Sequence, residues 1–187
     1  MVLSIRTAVA ADAPELAALA ALTFPLACPP GSPPQEIAAF VAQHLSVQVF
    51  HQYLADPVRA LFVAQDAVGS GAERMLAYTM LVDSPPSDAD VAAVVAADDS
   101  TELSKCYAHP DTHGSGVTAR IMAASLAWAQ ERGRGQVWLG VNSENLRAQR
   151  FYTKHGFTIA GTRSFRLGNR VEHDYVMVRP TGNTTTG

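Results

Sequence analysis

Hydrophobic positions along the chain change their spacing several times, and each change marks a predicted strand or helix. Residues 4–9 are typical of a short strand, and the next apolar positions recur at helical spacing, at Leu16, Leu19, Ala20 and Thr23. Asp12 stands where a cap is expected, with Glu15 in the first helical turn. Pro25 and the proline-rich segment 28–34 end this helix, because proline cannot continue one.

The middle of the chain is predicted to hold a second helical stretch and then two strands. Residues 35–53 form this stretch in two pieces, with a core-facing apolar stripe of Ile37, Phe40, Val41 and Leu45. Apolar runs at residues 60–65 and 75–82 flank a Gly-Ser-Gly turn, which is typical of an antiparallel hairpin. Residues 83–102 contain two prolines, six acidic residues and no basic one, and are predicted to form a loop.

Strands and helices alternate in the rest of the chain. They are predicted, in order, at residues 103–108, 116–132, 136–141, 145–155, 157–165 and 173–178, all strands except the second and fourth. With no internal repeat and no second linker, the order predicts a mixed α/β sheet in one domain over residues 1–179. Residues 180–187 are predicted to be a disordered tail.

Composition is that of an ordinary globular protein. The chain has 187 residues, 48% of them apolar and 17% charged, and a fold of this length buries about 70% of the surface of the unfolded chain. Charged residues interrupt the Ala-rich start, so neither a membrane span nor a signal peptide is predicted. Cys28 and Cys106 form no disulfide framework, and we expect two small buried thiols in a cytoplasmic protein.

Charge is distributed unevenly along the chain. The net charge of −3 argues against a nucleic-acid binder. Residues 1–102 hold three basic and twelve acidic residues, a balance of −9, whereas residues 103–187 hold eleven basic and five acidic residues, a balance of +6. Either both parts are simply solvated, or they serve a cation and an anion separately.

A glycine-containing turn joins the strand at 103–108 to the following helix. Gly114 and Gly116 let the backbone approach a ligand closely, and the first N–H groups of the helix form an anion site suited to a pyrophosphate. The third glycine of a dinucleotide fingerprint and the Gly-Lys-Ser/Thr ending of a P-loop are both missing. The turn alone leaves ligand binding open.

A second segment combines a strand, a capped helix and a glycine stop. Asn142 or Ser143 is predicted to cap the helix, and Gly156 to end it in the left-handed conformation. The two segments together resemble the GCN5-related N-acetyltransferase (GNAT) family, whose motifs are Gln/Arg-x-x-Gly-x-Gly/Ala and Asn-x-x-Ala-x-x-Phe-Tyr-x-x-x-Gly-Phe. The second motif is matched at Asn145, Ala148, Phe151, Tyr152, Gly156 and Phe157.

The resemblance covers most of residues 3–179 and is greatest to PaiA-type polyamine acetyltransferases. Three further stretches carry it, at residues 23–24, 138–141 and 161–168. The first motif departs from the family, since His113 replaces Gln or Arg and Thr118 replaces Gly or Ala. The resemblance implies the GNAT fold, a central mixed, mostly antiparallel sheet of about seven strands flanked by about four helices.

The resemblance also implies acetyl-CoA as cosubstrate and assigns residues to it. In this family the strand at Cys106, Tyr107 and Ala108 splays from its neighbour and binds the pantetheine and thioester through main-chain groups. The turn that would hold the pyrophosphate consists of His113, Gly114, Ser115, Gly116, Val117 and Thr118. Asn145, with Ala148 beside it, would contact the pantetheine arm.

Two residues are candidates for proton transfer. Tyr152 resembles the family's tyrosine that protonates the coenzyme thiolate, and a phenol is protonated at neutral pH; the alternative is a core aromatic. Alternation along its strand places Glu102 on the face of Ser104, Cys106 and Ala108, so Glu102 is a candidate base, directly or through water. A solvated strand-end carboxylate is the alternative.

Neither a metal site nor a cysteine nucleophile is predicted. His109 and His113 have the i, i+4 spacing of helical ligands, but Pro110 and Gly114 break such a helix. Cys106 has no local base or thiolate-stabilising cation pair, which favours a packed strand residue.

The predicted acceptor is a small primary amine, with a polyamine favoured. An acidic run precedes the coenzyme-binding strand and would concentrate a cation; it consists of Asp83, Asp88, Asp90, Asp98, Asp99 and Glu102. The alternatives are a protein or peptide amine, or a non-catalytic acyl-CoA-binding module. No nucleic-acid or membrane partner is predicted, and a homodimer is left open.

Overall fold

A computed structural model describes residues 3–67, 73–112, 114–167 and 170–182 of the chain. This part contains seven strands and six helices, which follow one another as β1 (Leu3–Thr7), α1 (Ala13–Ala27), α2 (Pro34–His44), α3 (Val47–Ala55), β2 (Arg59–Ala67), β3 (Glu73–Val82), α4 (Ala89–Ala92), β4 (Ser100–Ala108), α5 (Val117–Glu131), β5 (Gln136–Asn142), α6 (Leu146–Lys154), β6 (Thr158–Leu167) and β7 (Arg170–Pro180). The predicted Gly-Ser-Gly turn lies outside the described residues.

The strands form a mixed sheet. Hydrogen-bonded neighbours follow the order β1-β2-β3-β4-β5-β7-β6. β4 pairs with β5 in parallel, whereas β1 and β2, β5 and β7, and β6 and β7 pair antiparallel. The predicted fold class is confirmed.

The described residues fall into two compact units. Unit 1 is drawn from Met1–Leu81 and Lys105–Ser125, and unit 2 from Val82–Ser104 and Leu126–Gly187. In unit 1 the first turns of α5 pack on the strands through Val117 and Ile121, which are fully buried against Ala64, Leu76 and Ala77. In unit 2 the side chains of α4 cover the sheet, where Val91 and Val95 pack on Trp138 and Val176.

The predicted cap of α1 is wrong. Asp12 precedes the helix but makes no cap hydrogen bond. Its two carboxylate oxygens instead accept from the Arg6 guanidinium at 2.7 Å each, and Oδ2 also accepts from the Val9 N–H. Glu15 accepts from the Met75 N–H at 2.6 Å. Both carboxylates thus connect α1 to strands rather than to its own first turn.

Other local predictions also need correction. Pro25 lies inside α1, which continues to Ala27. α2 has no fully buried residue, so of the predicted stripe only Leu45, just after the helix, is in the core. Both cysteines are half-buried rather than buried. The predicted loop at 83–102 contains α4 and the start of β4.

The helices of the described residues include none with the length and apolar character needed to cross a bilayer. β7 runs through Pro180, and the Thr181 N–H donates to the Gly135 carbonyl at 2.9 Å. Residues 183–187 of the predicted tail lie outside the described part.

Candidate functional site

The glycine turn of unit 1 is held by a chain of short hydrogen bonds. The His109 N–H donates to the Leu76 carbonyl at 2.7 Å, which ties the end of β4 to β3. Thr112 then donates to the His109 carbonyl through both its N–H and its hydroxyl, and Ser115 does the same to the Thr112 carbonyl. These hydrogen bonds hold the described residues of the turn in a defined conformation.

Two glycines give this turn a backbone that other residues rarely adopt. Gly114 has φ +78° and Gly116 has φ +80°. An ideal Cβ placed at either position has no atom within 4 Å. Since left-handed φ favours glycine, conformation requires these two glycines, and the space beside them is open for a ligand.

Free amides complete the turn. Val117 is fully buried and anchors the start of α5, whereas Gly114, Ser115 and Gly116 are exposed. Within the described residues the N–H groups of Thr118 and Ala119 have no acceptor, as expected for a first helical turn. Open space, exposed glycines and unpaired amides fit a pyrophosphate. His113 lies outside the described residues.

The predicted strand residues of unit 1 are half-buried. Ala108 packs on the cluster that holds the start of α5. Tyr107 stacks on Tyr78, with ring centroids 5.6 Å apart and planes at 22°. Cys106 directly precedes Tyr107 and is also half-buried.

In unit 2 the β4–β5 ladder is short. It joins Ser100 to Gln136, Thr101 to Val137 and Glu102 to Trp138. β5 continues to Asn142 with β7 as its ladder partner, so within the described residues of this unit the other edge of Leu139–Asn142 makes no strand pair. Within unit 2, the main-chain groups on that edge are candidates to bind a ligand.

Asn145, rather than Asn142 or Ser143, caps α6. Its side-chain oxygen accepts from the Ala148 N–H at 3.1 Å. Asn142 instead accepts from the Glu144 N–H at 2.9 Å, in the turn that precedes the helix. Asn145 and Ala148, both half-buried, are thus adjacent in the first turn.

Tyr152 is half-buried in the last turns of α6. Its ring meets Phe151 at 5.5 Å and the fully buried Phe157 at 5.8 Å, both edge to face. Gly156 ends the helix at φ +85°, as predicted, and the Phe157 N–H returns to the Tyr152 carbonyl at 3.1 Å. The Tyr152 ring therefore packs against two aromatic neighbours.

Glu102 lies at the last pair of the β4–β5 ladder and is half-buried. Its ladder partner is Trp138, which is 3% exposed. A carboxylate at the end of the paired part of a strand can accept a proton from a group that is bound beside it.

Sequence reasoning missed a polar group on the neighbouring strands of unit 2. Arg163 of β6 is directly opposite Asp174 of β7, and its guanidinium lies 5.7 Å from the centre of the Trp138 ring. Glu172 and Asp174 are 8% and 7% exposed. The only signal in the sequence was the alternation of two acidic residues on the last strand, Glu172 and Asp174. This alternation does not distinguish a buried face of the strand from a solvated one.

In the part of the chain that the structure describes, no three His, Cys, Asp or Glu side chains are grouped so that they could hold a metal ion. His109 instead contacts Arg74, whose Nη2 lies 2.8 Å from its Nε2.

Three comparisons place these features among known proteins. Residues 27–157 match the model of the acetyltransferase (GNAT) family. The chain is 50% identical over 168 residues to an uncharacterized N-acetyltransferase of Mycobacterium tuberculosis, covering 90% of this chain and 97% of the relative.

Solved structures share the fold at low sequence identity. The PaiA N-acetyltransferase of Thermoplasma acidophilum, in complex with coenzyme A, has a TM-score of 0.73 and 15% identity over 96% of this chain and 99% of that one. The spermidine/spermine N-acetyltransferase of Vibrio cholerae has a TM-score of 0.62 and 15% identity over 96% and 92%.

Proposed function

The chain belongs to the acetyltransferase (GNAT) family and uses acetyl-CoA as its cosubstrate, and on that premise we propose that it acetylates a primary amine, in particular a small polyamine. The observation that carries the proposal is the place of Glu102, a half-buried carboxylate at the last pair of the β4–β5 ladder. A protonated amine must lose a proton before it can attack, and a carboxylate so placed can take it.

Each half of the family motif has a part in this proposal. Acetyl-CoA supplies the acetyl thioester. The amides of the glycine turn would hold its pyrophosphate, and main-chain groups of Leu139–Asn142 would bind the pantetheine and the thioester. Glu102 accepts the ammonium proton, and the neutral amine nitrogen bonds to the acetyl carbon. The carbon–sulfur bond then breaks, Tyr152 donates its proton to the sulfur, and the second proton lost by the nitrogen restores the Tyr152 hydroxyl through solvent. The products are the acetamide, the coenzyme A thiol and the proton held by Glu102, so protons and charge balance.

The acidic run contributes less to acceptor binding than its sequence suggests. Asp83 accepts from Arg134 Nε at 2.7 Å, Asp88 caps α4, and Asp99 accepts from the Gly135 N–H at 2.7 Å. These three carboxylates have structural partners. Asp90 and Asp98 are exposed, with no side-chain hydrogen bond among the described residues, and they are the members left to attract a cation.

A thiol-release assay with acetyl-CoA and a panel of amines tests the proposal. We expect release with spermidine and putrescine, and a rise in KM with salt, since the Debye length falls to about 3 Å at molar ionic strength. Asp90→Asn with Asp98→Asn should raise KM at low salt only. Release with a peptide amine alone would replace the polyamine by a protein acceptor. Binding of acetyl-CoA without release on any amine would favour a non-catalytic module.

The proton-accepting role of Glu102 has its own test. Glu102→Gln keeps the size of the side chain and removes the base. We expect kcat/KM to fall and its rise with pH to move to higher pH, where the amine is already neutral. Glu131→Gln is the matched control, because it removes an exposed carboxylate of the same unit to which no role in acceptor binding is assigned. A profile identical to that of the unchanged protein would assign the proton to water or to another group.

A further inference from the structure

Two ion pairs of this chain differ in how many of the carboxylate oxygens accept a hydrogen bond from the arginine. Arg6 donates to both oxygens of Asp12 at 2.7 Å, and this hydrogen bonding lowers the pKa of the Asp12 carboxyl. Arg163 instead directs Nε and Nη2 to the same oxygen of Asp174, at 3.3 and 3.2 Å, which is long for a charge-assisted bond. The Asp174 Oδ1 has no hydrogen-bond partner in the described part of the chain.

Most of the Asp174 side chain is removed from solvent. Only 9% of the Asp174 side chain is exposed, and burial raises the pKa of its carboxyl, against the opposing effect of Arg163 and with a further increase from Glu172. Glu172 is itself 8% exposed and lies on the same face, two residues away along β7. A second carboxylate so close adds negative charge beside Asp174 Oδ1, which favours a cationic partner there.

The surroundings of Arg163 are built rather than incidental. A Cβ at residue 140 would overlap its guanidinium, so the glycine at that position is what lets the side chain lie against β5. The indole beneath it belongs to Trp138, whose Nε1–H is buried and has no acceptor among the described residues. Ser100 Oγ, two residues before Glu102, is likewise buried without a described partner. Buried polar atoms of this kind are commonly satisfied by bound water.

This polar group lies at the end of β5. Asp174 pairs with Asn142 in the β5–β7 ladder, and the Ser143 N–H donates to the His173 carbonyl at 2.9 Å. The proposed function places the thioester along Leu139–Asn142. Asp174 is therefore one strand away from the segment beside which the amine would react.

We propose that Asp174, supported by Glu172, binds a second ammonium group of the acceptor and so selects diamines and polyamines over monoamines. The ammonium donates to Asp174 Oδ1, while Arg163 keeps its bonds to Oδ2. This inference rests on the proposed acetylation of an amine and adds to it the residue that recognises the non-reacting nitrogen.

Putrescine and butylamine test the inference, because they have the same carbon chain and differ by one amine. With the unchanged protein we expect kcat/KM to be higher for putrescine. Asp174→Asn should lower the putrescine-to-butylamine ratio of kcat/KM by about tenfold or more, mainly through KM, and leave butylamine nearly unchanged. Glu172→Gln should lower the same ratio less. Glu131→Gln is the control, because Glu131 is an exposed carboxylate of the same unit with no assigned role, and it should leave the ratio unchanged.

Each other outcome is decisive. Equal rates on the two amines in the unchanged protein, or an equal loss on both in Asp174→Asn, would overturn the inference while leaving amine acetylation intact.

If neither amine is acetylated, the proposed function fails for small amines, and calorimetry of putrescine with the coenzyme A complex decides the site. Putrescine binding that Asp174→Asn abolishes supports it, and no binding overturns it. Should Asp174→Asn not fold, the Glu172→Gln ratio decides in its place.

Discussion

The two segments assigned to acetyl-CoA differ in what they offer the ligand. The turn after β4 presents main-chain amides, held by hydrogen bonds among His109, Thr112 and Ser115 and by two left-handed glycines. Helix α6 presents side chains, the capping amide of Asn145 and the phenol of Tyr152. In the proposed function, the first segment binds acetyl-CoA through main-chain amides, and the second acts through side chains.

This difference explains where the chain departs from the family motif. His113 and Thr118 are substitutions in the turn, whereas all six motif positions of the helix segment are matched. An amide N–H is present whatever the side chain, so a turn tolerates exchange wherever φ is negative. A phenol has no backbone substitute. Variants of the two segments should therefore separate binding from chemistry.

The largest effect is expected for the side-chain segment. Tyr152→Phe keeps the ring and its contacts with Phe151 and Phe157 and removes the proposed acid. Turnover should fall by about 10² to 10⁴, with acetyl-CoA affinity nearly unchanged, as measured by pre-steady-state rates and calorimetry. Full turnover with chemistry rate-limiting would make Tyr152 a structural aromatic and remove the contrast between the segments.

A backbone change should produce the next largest effect. Gly116→Val forces a branched residue to φ +80° and fills the open approach to the turn. We expect the Kd for acetyl-CoA to rise by roughly 10- to 100-fold, with a loss of about 1–3 kcal/mol of stability. Gly133→Val is the matched control, since Gly133 has φ +73° and equally open surroundings. It should lose similar stability but no coenzyme affinity; similar Kd values for both variants would contradict the turn's role.

Asn145 allows the helix segment to be divided further. Asn145→Ala removes the cap and should cost about 1 kcal/mol of stability as well as coenzyme affinity. Asn145→Ser keeps a capping oxygen and should regain most of the stability but not the affinity, because a pantetheine contact needs the amide. Thermal unfolding and calorimetry measure the two quantities. If serine restores both, Asn145 acts only through the cap.

The smallest effect is expected at the departure in the turn. Thr118→Ala introduces a residue usual in the family and leaves the unpaired N–H in place. Loss of a hydroxyl contact and relief of crowding oppose each other, so the Kd for acetyl-CoA should change by less than about threefold, within 0.5 kcal/mol or so. A change above tenfold would show that side chains matter in the turn as much as in the helix.

Local patterns in the sequence were enough to predict most strands and helices and to recognise the family motif. Periodicity predicted the seven strands and the main helices, and Gly156 was correctly predicted to end α6 because a left-handed φ is a local property of one residue. The resemblance of two motifs to the GNAT family implied the family and the cosubstrate, and it could be recognised because the residues of each motif lie close together in the sequence.

The partners of the charged side chains, in contrast, depend on tertiary contacts. Asp12 was predicted to cap α1 and instead pairs with Arg6, and the acidic run was predicted to be an open loop, yet Asp83 and Asp99 bind groups at Arg134 and Gly135. Asp174 meets Arg163 only because β6 and β7 pair in one register, which includes an irregularity between Ile159 and Gly161. A charged side chain can reach several partners, and strand register and burial, which no local pattern encodes, select one of them.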